Sequence, residues 1–299
     1  MGDILVGTCS WTDPALVRSG WYPKGQRDAA GRLRYYAERF PVVEVDSTYY
    51  ALPGERNSRL WAERTPEGFT FDVKAFSMLT GHPTRPAALP GDLRDGARDP
   101  GVLDEVWARF AAGIEPLRQA GRLGSVLFQF PPWLRPGERA DEVLALTARR
   151  TQGWPLAVEF RHPDWWRADQ AEATRALLAG HGMAAVGVDM NRTLPSSLPP
   201  GAPVTSPRLA VVRFHGRSDA WGRGSKEDRF RYAYADHELA EWLPRLRTLA
   251  ERTEQVHVLF NNCCADAAVR AAEAMTRLLG PAGSPHVYGR GSGDTRPGR

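Results

Sequence analysis

The chain has 299 residues, 42% hydrophobic and 25% charged, which excludes a disordered or collagenous body and supplies ample material for a core. Of its net charge of +4, the segment from Gly280 holds +2 (Arg290, Arg296 and Arg299 against Asp294), so the body is too weakly basic to imply a polyanion partner. No apolar run reaches the ~18 residues of a membrane span, and an acid stands where a signal peptide carries bases, so a cytoplasmic, membrane-free protein is expected.

In chain order, short apolar runs predict strands at 4–8, 42–49, 69–76, 125–130, 156–160, 184–188, 209–215 and 256–261. Helix-period segments fall between most of them, at 32–40, 58–64, 102–120, 140–150, 169–181, 236–252 and 265–279. Tyr35, Tyr36 and Trp61 on these helices read as packing residues. Two connections are irregular. Residues 77–101 are rich in Pro, Gly and Arg, and 190–207 hold Pro195, Pro199, Pro200, Pro203 and Pro207, which exclude a normal sixth helix. Strands alternating with helices predict an α/β fold with a parallel sheet, and eight such units close into a (β/α)8 TIM barrel. One domain is expected over 1–280, with a flexible tail over 281–299. The structural alternative, an open doubly wound sheet, usually has a Gly-rich turn after its first strand, and here Cys9-Ser10-Trp11-Thr12-Asp13 stands there.

Barrel sites lie at the carboxyl ends of the strands. A period of two puts Glu44, Asp46 and Thr48 on one face of the second strand, Asp72 and Lys74 together on the third, and Glu159 with Arg161 on the fifth. Gln129 ends the fourth strand, Asp189 the sixth and Asn261 the eighth, while Arg213 and His215 share a face on the seventh. Charges in those places are either architectural ion pairs or a functional mouth, and so many of them together favour the mouth.

The serial motifs GTCSW (7–11), EVDSTYY (44–50), FDVKA (71–75), FQFPP (128–132), EFRHP (159–163), VRFHG (212–216) and FNN (260–262) resemble the YecE-like family, domain-of-unknown-function family seventy-two. The resemblance runs through about residues 3–280 and implies a TIM barrel, the same fold as the strand count, but no specific activity. Cys9 departs from the small residue that the resemblance leads one to expect there.

The favoured chemistry is an anion site, with Lys74, Arg161 and Arg213 converging on a phosphate or carboxylate. Gln129, Asn261, Trp11 and Tyr49 join this ligand-binding set. Glu44, Asp46, Glu159 and His215 are the candidate catalytic residues, orienting bases or moving protons, with phosphoester hydrolysis the leading reaction. A metal reading draws on Glu44, Asp46, Glu159, His162, Asp189, His215 and His82, but no HExxH, EF-hand or CxxC spacing supports it, and no motif names a cofactor. A glycosidase would use paired carboxylates with Trp11, Trp21, Trp133, Trp165, Trp166 or Trp221 as platforms. The alternative of another class is a non-catalytic nucleic-acid or nucleotide-binding barrel, resting on Arg217, Arg223, Lys226, Arg229 and Arg231 beside Trp221, Tyr232 and Tyr234. Cys9, Cys263 and Cys264 come to one edge of a closed barrel, as small buried residues or as a redox or soft-metal cluster.

Overall fold

A computed structural model of the chain describes residues 1–280 apart from Arg27, Ala97, Arg98, Arg223, Gly224, Lys226, Glu227, Arg229 and Cys263. Eight parallel strands pair in chain order: β1 (Asp3–Thr8), β2 (Val42–Val45), β3 (Thr70–Lys74), β4 (Leu123–Gln129), β5 (Leu156–Glu159), β6 (Ala184–Met190), β7 (Leu209–Gly216) and β8 (Gln255–Phe260). Pairing of β8 with β1 closes the barrel. Around it run α1 (Pro14–Arg18), α2 (Ala29–Ala37), α3 (Glu55–Glu63), α4 (Pro100–Gln119), α5 (Glu138–Arg150), α6 (Ala171–Gly180), α7 (Asp236–Ala240), α8 (Leu243–Arg252) and α9 (Ala267–Leu279). The expected α/β barrel is the fold. None of the described helices is long and apolar enough to cross a membrane. The expected tail at 281–299 lies outside the described residues.

The pleat sorts the side chains into two apolar layers. Val42, Leu127, Ala157, Val186, Val211 and Leu259 fill the barrel interior. Val43, Val73, Phe128, Phe160 and Phe214 face the helices. Tyr36 of α2 belongs to the outer layer and also ties β1 to β2. Its hydroxyl accepts from Thr8 N at 2.8 Å and donates to Val42 O at 3.1 Å, across a junction where only Gly7↔Val42 and Thr8↔Val43 are in register.

Most element ends shift by a few residues from the sequence expectation, and three differences have a clear local cause. The second strand stops at Val45 because residues 46–49 coil into a 3-10 turn. Thr48 Oγ1 fastens that turn by donating to Val45 O (2.8 Å) and Lys74 O (2.6 Å). The expected 236–252 helix is two helices, since Pro244 in the first turn of α8 has no N–H to continue α7. The short α1 was not expected, although Asp13-Pro14 signals it: Asp13 Oδ1 accepts from Ala15 N (2.8 Å) and Leu16 N (3.2 Å).

As expected, the Pro-rich segment after β6 forms no α-helix among its described residues. It lies instead against the outside of β6, so close that a Cβ on Gly187 would stand 2.4 Å from Gly201 O. Asp189 points outward into this layer, away from the mouth to which the strand-end reading assigned it. Its two oxygens accept from Arg217 Nε and Nη2 (both 2.8 Å), Tyr234 OH (2.9 Å), Trp242 Nε1 (2.7 Å) and Arg192 Nη2 (3.3 Å). A buried carboxylate with so many donors braces the flank that lacks a regular helix.

The GTCSW motif starts with a glycine for a steric reason. A Cβ on Gly7 would lie 2.0 Å from Val42 O, so Gly7→Ala should force β1 from β2 and cost about 1–3 kcal/mol in denaturant unfolding. Gly54→Ala, with nothing within 4 Å, should cost little; equal costs would show that the β1–β2 approach is not what requires Gly7.

Candidate functional site

The mouth is organised around a cation that no water reaches. Arg213 of β7 is fully buried and grips Glu44 of β2 with both arms, Nε to Oε2 at 2.8 Å and Nη2 to Oε1 at 2.6 Å. Its Nη1 donates to Glu159 Oε2 of β5 at 2.5 Å, and Nη2 also reaches Cys9 Sγ at 3.7 Å. Glu159 Oε1 accepts in addition from Arg161 Nη1 (2.8 Å), Gln129 Nε2 (3.1 Å) and His215 Nε2 (3.1 Å). On the other side of the ring, Asn261 Nδ2 donates to His215 Nδ1 at 3.0 Å. A carboxylate only accepts and an amide nitrogen only donates, so this network assigns His215 the neutral Nε2–H tautomer.

The protonation states follow from burial and these partners. Burial pushes the His215 ring down to about 4, more than the Glu159 charge raises it. Burial alone would lift Glu159, but Arg213, His215 and Arg161 together hold it well below the usual carboxylate range. Glu44 goes the other way. Burial and the Asp46 charge outweigh Arg213 and Lys74, and its carboxyl is pushed up to about 7. Cys9 remains a thiol, raised by burial and by Glu44.

Above this layer opens a cavity of about 550 Å³, lined by Thr8, Cys9, Ser10, Asp46, Lys74, Gln129, Arg161, His215, Asn261 and Asn262 among others. Lys74 Nζ lies 2.8 Å from Asp46 Oδ1 and 4.7 Å over the Tyr49 ring. Tyr49 in turn meets His82, which meets Trp133, both edge-on. Burial and then the charges of Lys74 and Arg161 lower the His82 ring to about 4.

The expected residues therefore divide. Asp46, Lys74, Gln129, Arg161, His215 and Asn261 line one cavity. Glu44, Glu159 and Arg213 lie beneath it and hold one another, so Arg213 does not converge with Lys74 and Arg161 on a ligand. Tyr49 supports Lys74 from below its charge. Trp11 is a core side chain, packed edge-on against Trp61 and Phe71 in the outer layer. Among the described residues, no three His, Cys, Asp or Glu side chains converge as a metal site. His162 Nδ1 instead accepts from Asp164 N at 3.1 Å. Cys9 and Cys264 are free thiols, the first buried and the second partly exposed, and Cys263 lies outside the described residues.

Two groups escaped the sequence reading. His257 of β8 spans the barrel interior to Asp72 of β3, with Nδ1 at 2.8 Å and 3.1 Å from the carboxylate oxygens. Period two, counted back from Asn261, places it inward. Asn262, next to the noted Asn261, is fully buried at the cavity wall.

Comparison with known proteins agrees with the fold and the motifs. The family model "Protein of unknown function DUF72" matches residues 5–290. The chain is 30% identical over 282 residues to the UPF0759 protein YunF of Bacillus subtilis (strain 168), covering 92% of this chain and 94% of that one. It is 28% identical over 171 residues to the UPF0759 protein YecE of Escherichia coli (strain K12), covering 57% of this chain and 53% of that protein. Among solved structures, a DUF72 family protein from Thermotoga maritima MSB8 superposes with a TM-score of 0.76 at 29% identity, covering 93% and 99% of the two chains. One from Enterococcus faecalis V583 gives 0.77 at 22% identity, covering 93% and 98%.

Removing Arg213 should leave buried Glu44 without its hydrogen-bonded counter-charge and Glu159 with Arg161 as its remaining cation. Arg213→Met should cost about 3–5 kcal/mol in denaturant unfolding, most of it recovered when Glu44→Gln and Glu159→Gln are added. A single-variant cost under about 1 kcal/mol would contradict a shared buried charge. The His215 ring, observed by NMR, should stay neutral from about pH 8 to about pH 5 and protonate near 4. Because its folded value is depressed, the stability it contributes is complete above the unfolded value of 6.5 and lost as pH falls toward 4. A midpoint at or above 6.5 would refute the neutral, burial-depressed imidazole.

Proposed function

The chain belongs to the DUF72 family, and for this member we propose a mouth that binds a small ligand bearing a phosphate or carboxylate, with phosphoester hydrolysis as its reaction. One observation carries the reading: Lys74 and Arg161 both line the same cavity, beside the hydrogen-bonding side chains of Gln129 and Asn261. Concave sites of this size, with a few convergent polar groups, suit small ligands. Arg offers a planar fork to an oxyanion and Lys a mobile point charge.

Electrostatics support the same reading. Lys74, Arg161 and Arg213 face Glu44, Asp46 and Glu159, and His215 is neutral. With Glu44 pushed up to about 7, these groups carry a fractional positive excess near neutral pH. Of the three carboxylates, Asp46 is the one that reaches the cavity, its side chain 27% exposed. It can take a proton from an attacking water while the two cations offset charge on the phosphoryl oxygens. Glu44 and Glu159 act beneath the cavity floor, fixing Arg213, Gln129, Arg161 and His215 in place.

Of the residues behind the nucleic-acid alternative, Arg223, Lys226 and Arg229 lie outside the described residues, and Arg217, Tyr232 and Tyr234 lend it little support. Arg217 is bound to Asp189, Glu238 and Glu241, and the hydroxyls of Tyr232 and Tyr234 bond Glu238 and Asp189. Those groups brace the protein itself.

A panel of phosphoesters, with and without divalent metals, tests the proposal. Turnover should fall about 10²-fold or more in Asp46→Asn. Lys74→Met and Arg161→Met should each raise KM by about tenfold. Saturable binding without turnover would remove the hydrolase and keep the anion site; neither binding nor turnover would overturn both.

A further inference from the structure

Gln129, which ends β4, and Asn261, which follows β8, both line the cavity and stay partly exposed. A carboxamide can usually turn either end toward a ligand, because its oxygen and nitrogen differ little in shape. Here neither amide can turn. Gln129 Nε2 donates to Glu159 Oε1 at 3.1 Å, and Glu159 stays ionised, so a flip would set an amide oxygen against a carboxylate. The same carboxylate oxygen takes the His215 Nε2–H at 3.1 Å, which leaves Nδ1 with a lone pair. Asn261 Nδ2 donates to that lone pair at 3.0 Å, and a flip there would again bring two acceptors together. One buried carboxylate thus fixes both amides with their nitrogens turned into the network.

Their oxygens are left for the cavity. Gln129 Oε1 and Asn261 Oδ1 accept nothing from the described residues, and neither is sealed from solvent. An amide oxygen repels an oxyanion and binds a donor, so these two stand outside the seat of a phosphate or carboxylate. An ammonium donor is opposed by Lys74 and Arg161, which line the same cavity. A neutral hydroxyl suits the place. It can donate to an amide oxygen while its own oxygen accepts from Arg161 or Lys74, whereas an N–H serves the amide oxygens alone.

We infer that this mouth takes a polyol phosphate, with separate hydroxyls of its carbon chain donating to Gln129 Oε1 and Asn261 Oδ1. Two hydroxyls are needed because the amides come from different strands, with the Glu159–His215 pair between them. The phosphate end rests on the function proposed above; the hydroxyl contacts rest on the orientation of the two amides. Gln129 and Asn261 then select the ligand's carbon chain, and Lys74 and Arg161 its charge.

Sorbitol 6-phosphate and hexyl phosphate share the anion and the chain length, and calorimetric titration of both separates these parts. Wild type should bind sorbitol 6-phosphate about tenfold or more tightly than hexyl phosphate. That ratio should fall below about threefold in Gln129→Met and in Asn261→Leu, while Lys74→Met weakens both compounds alike. A ratio taken within one protein is insensitive to a merely structural loss, and the wild-type ratio decides even if an amide variant does not fold. Equal affinities, or a preference for hexyl phosphate, overturn the hydroxyl contacts and leave the anion site standing. A preference that survives both amide variants overturns them as well. If wild type binds neither compound nor inorganic phosphate at about 10 mM, the anion site falls and this inference with it.

Discussion

Arg213 carries a full charge where solvent cannot stabilise it, and much of the barrel mouth follows from that. Leaving such a group without partners would cost several kcal/mol, so carboxylates must meet it from elsewhere in the chain. They come from β2 and β5, which are not neighbours of β7, and they meet Arg213 across the barrel interior. That requirement sets register. A slip of one residue in β7 would turn Arg213 toward the helices and leave Glu44 and Glu159 facing each other. The register of β7 and the assembly of the site are therefore tied to the same three side chains. Glu159 carries the constraint upward, since the oxygen that does not meet Arg213 orients Gln129, Arg161 and His215 at the cavity floor.

The barrel was legible because each strand is a short apolar run with a period-two face, separated from the next by a helix or a Pro-rich loop. The inward set at the mouth was legible for the same reason. What the pattern could not supply was the partner of each charge. Arg213 and Glu44 stand 169 residues apart, and nothing local tells whether a guanidinium on a barrel strand meets the protein's own carboxylates or a ligand's. Asp189 was assigned by its place at a strand end, whereas its face, alternating with inward Val188, points out. His257 lies inward by the same alternation but in the amino-terminal half of β8, below the mouth on which the functional reading concentrated. Thr48 ended β2 early through two hydrogen bonds to backbone carbonyls, which no hydrophobic period records.

Two charge networks lie back to back where β7 ends. Arg213 and His215 point inward, and the chain then turns at Gly216, whose φ of +88° is in the left-handed region that favours glycine. A Cβ there would also stand 2.7 Å from Tyr232 Cβ. Past that turn Arg217 points outward to Asp189, Glu238 and Glu241. One glycine thus divides basic residues four positions apart into a buried counter-charge and an external brace. The brace matters because the Pro-rich segment after β6 supplies no helix of its own. Trp242 and Tyr234 reach Asp189 from the elements that follow β7 and take over that packing.

The two carboxylates that hold Arg213 are not equivalent, and the difference bears on what the mouth can do. Glu159 has three other donors besides Arg213 and stays ionised. Glu44 has Arg213 alone among its hydrogen-bond donors and also feels Asp46, so its proton affinity rises to about 7. An anion arriving at Lys74 and Arg161 adds negative potential above Glu44 and raises that affinity further. If the mouth takes an anion as proposed, its entry would be coupled to proton uptake by Glu44, and by linkage a rising pH, which ionises Glu44, would oppose the anion. Glu159 cannot take this part, since its donors hold it far below neutrality, nor can His215, kept neutral by burial. The residue beneath the floor that touches no cavity surface is the one whose protonation tunes the charge the cavity presents.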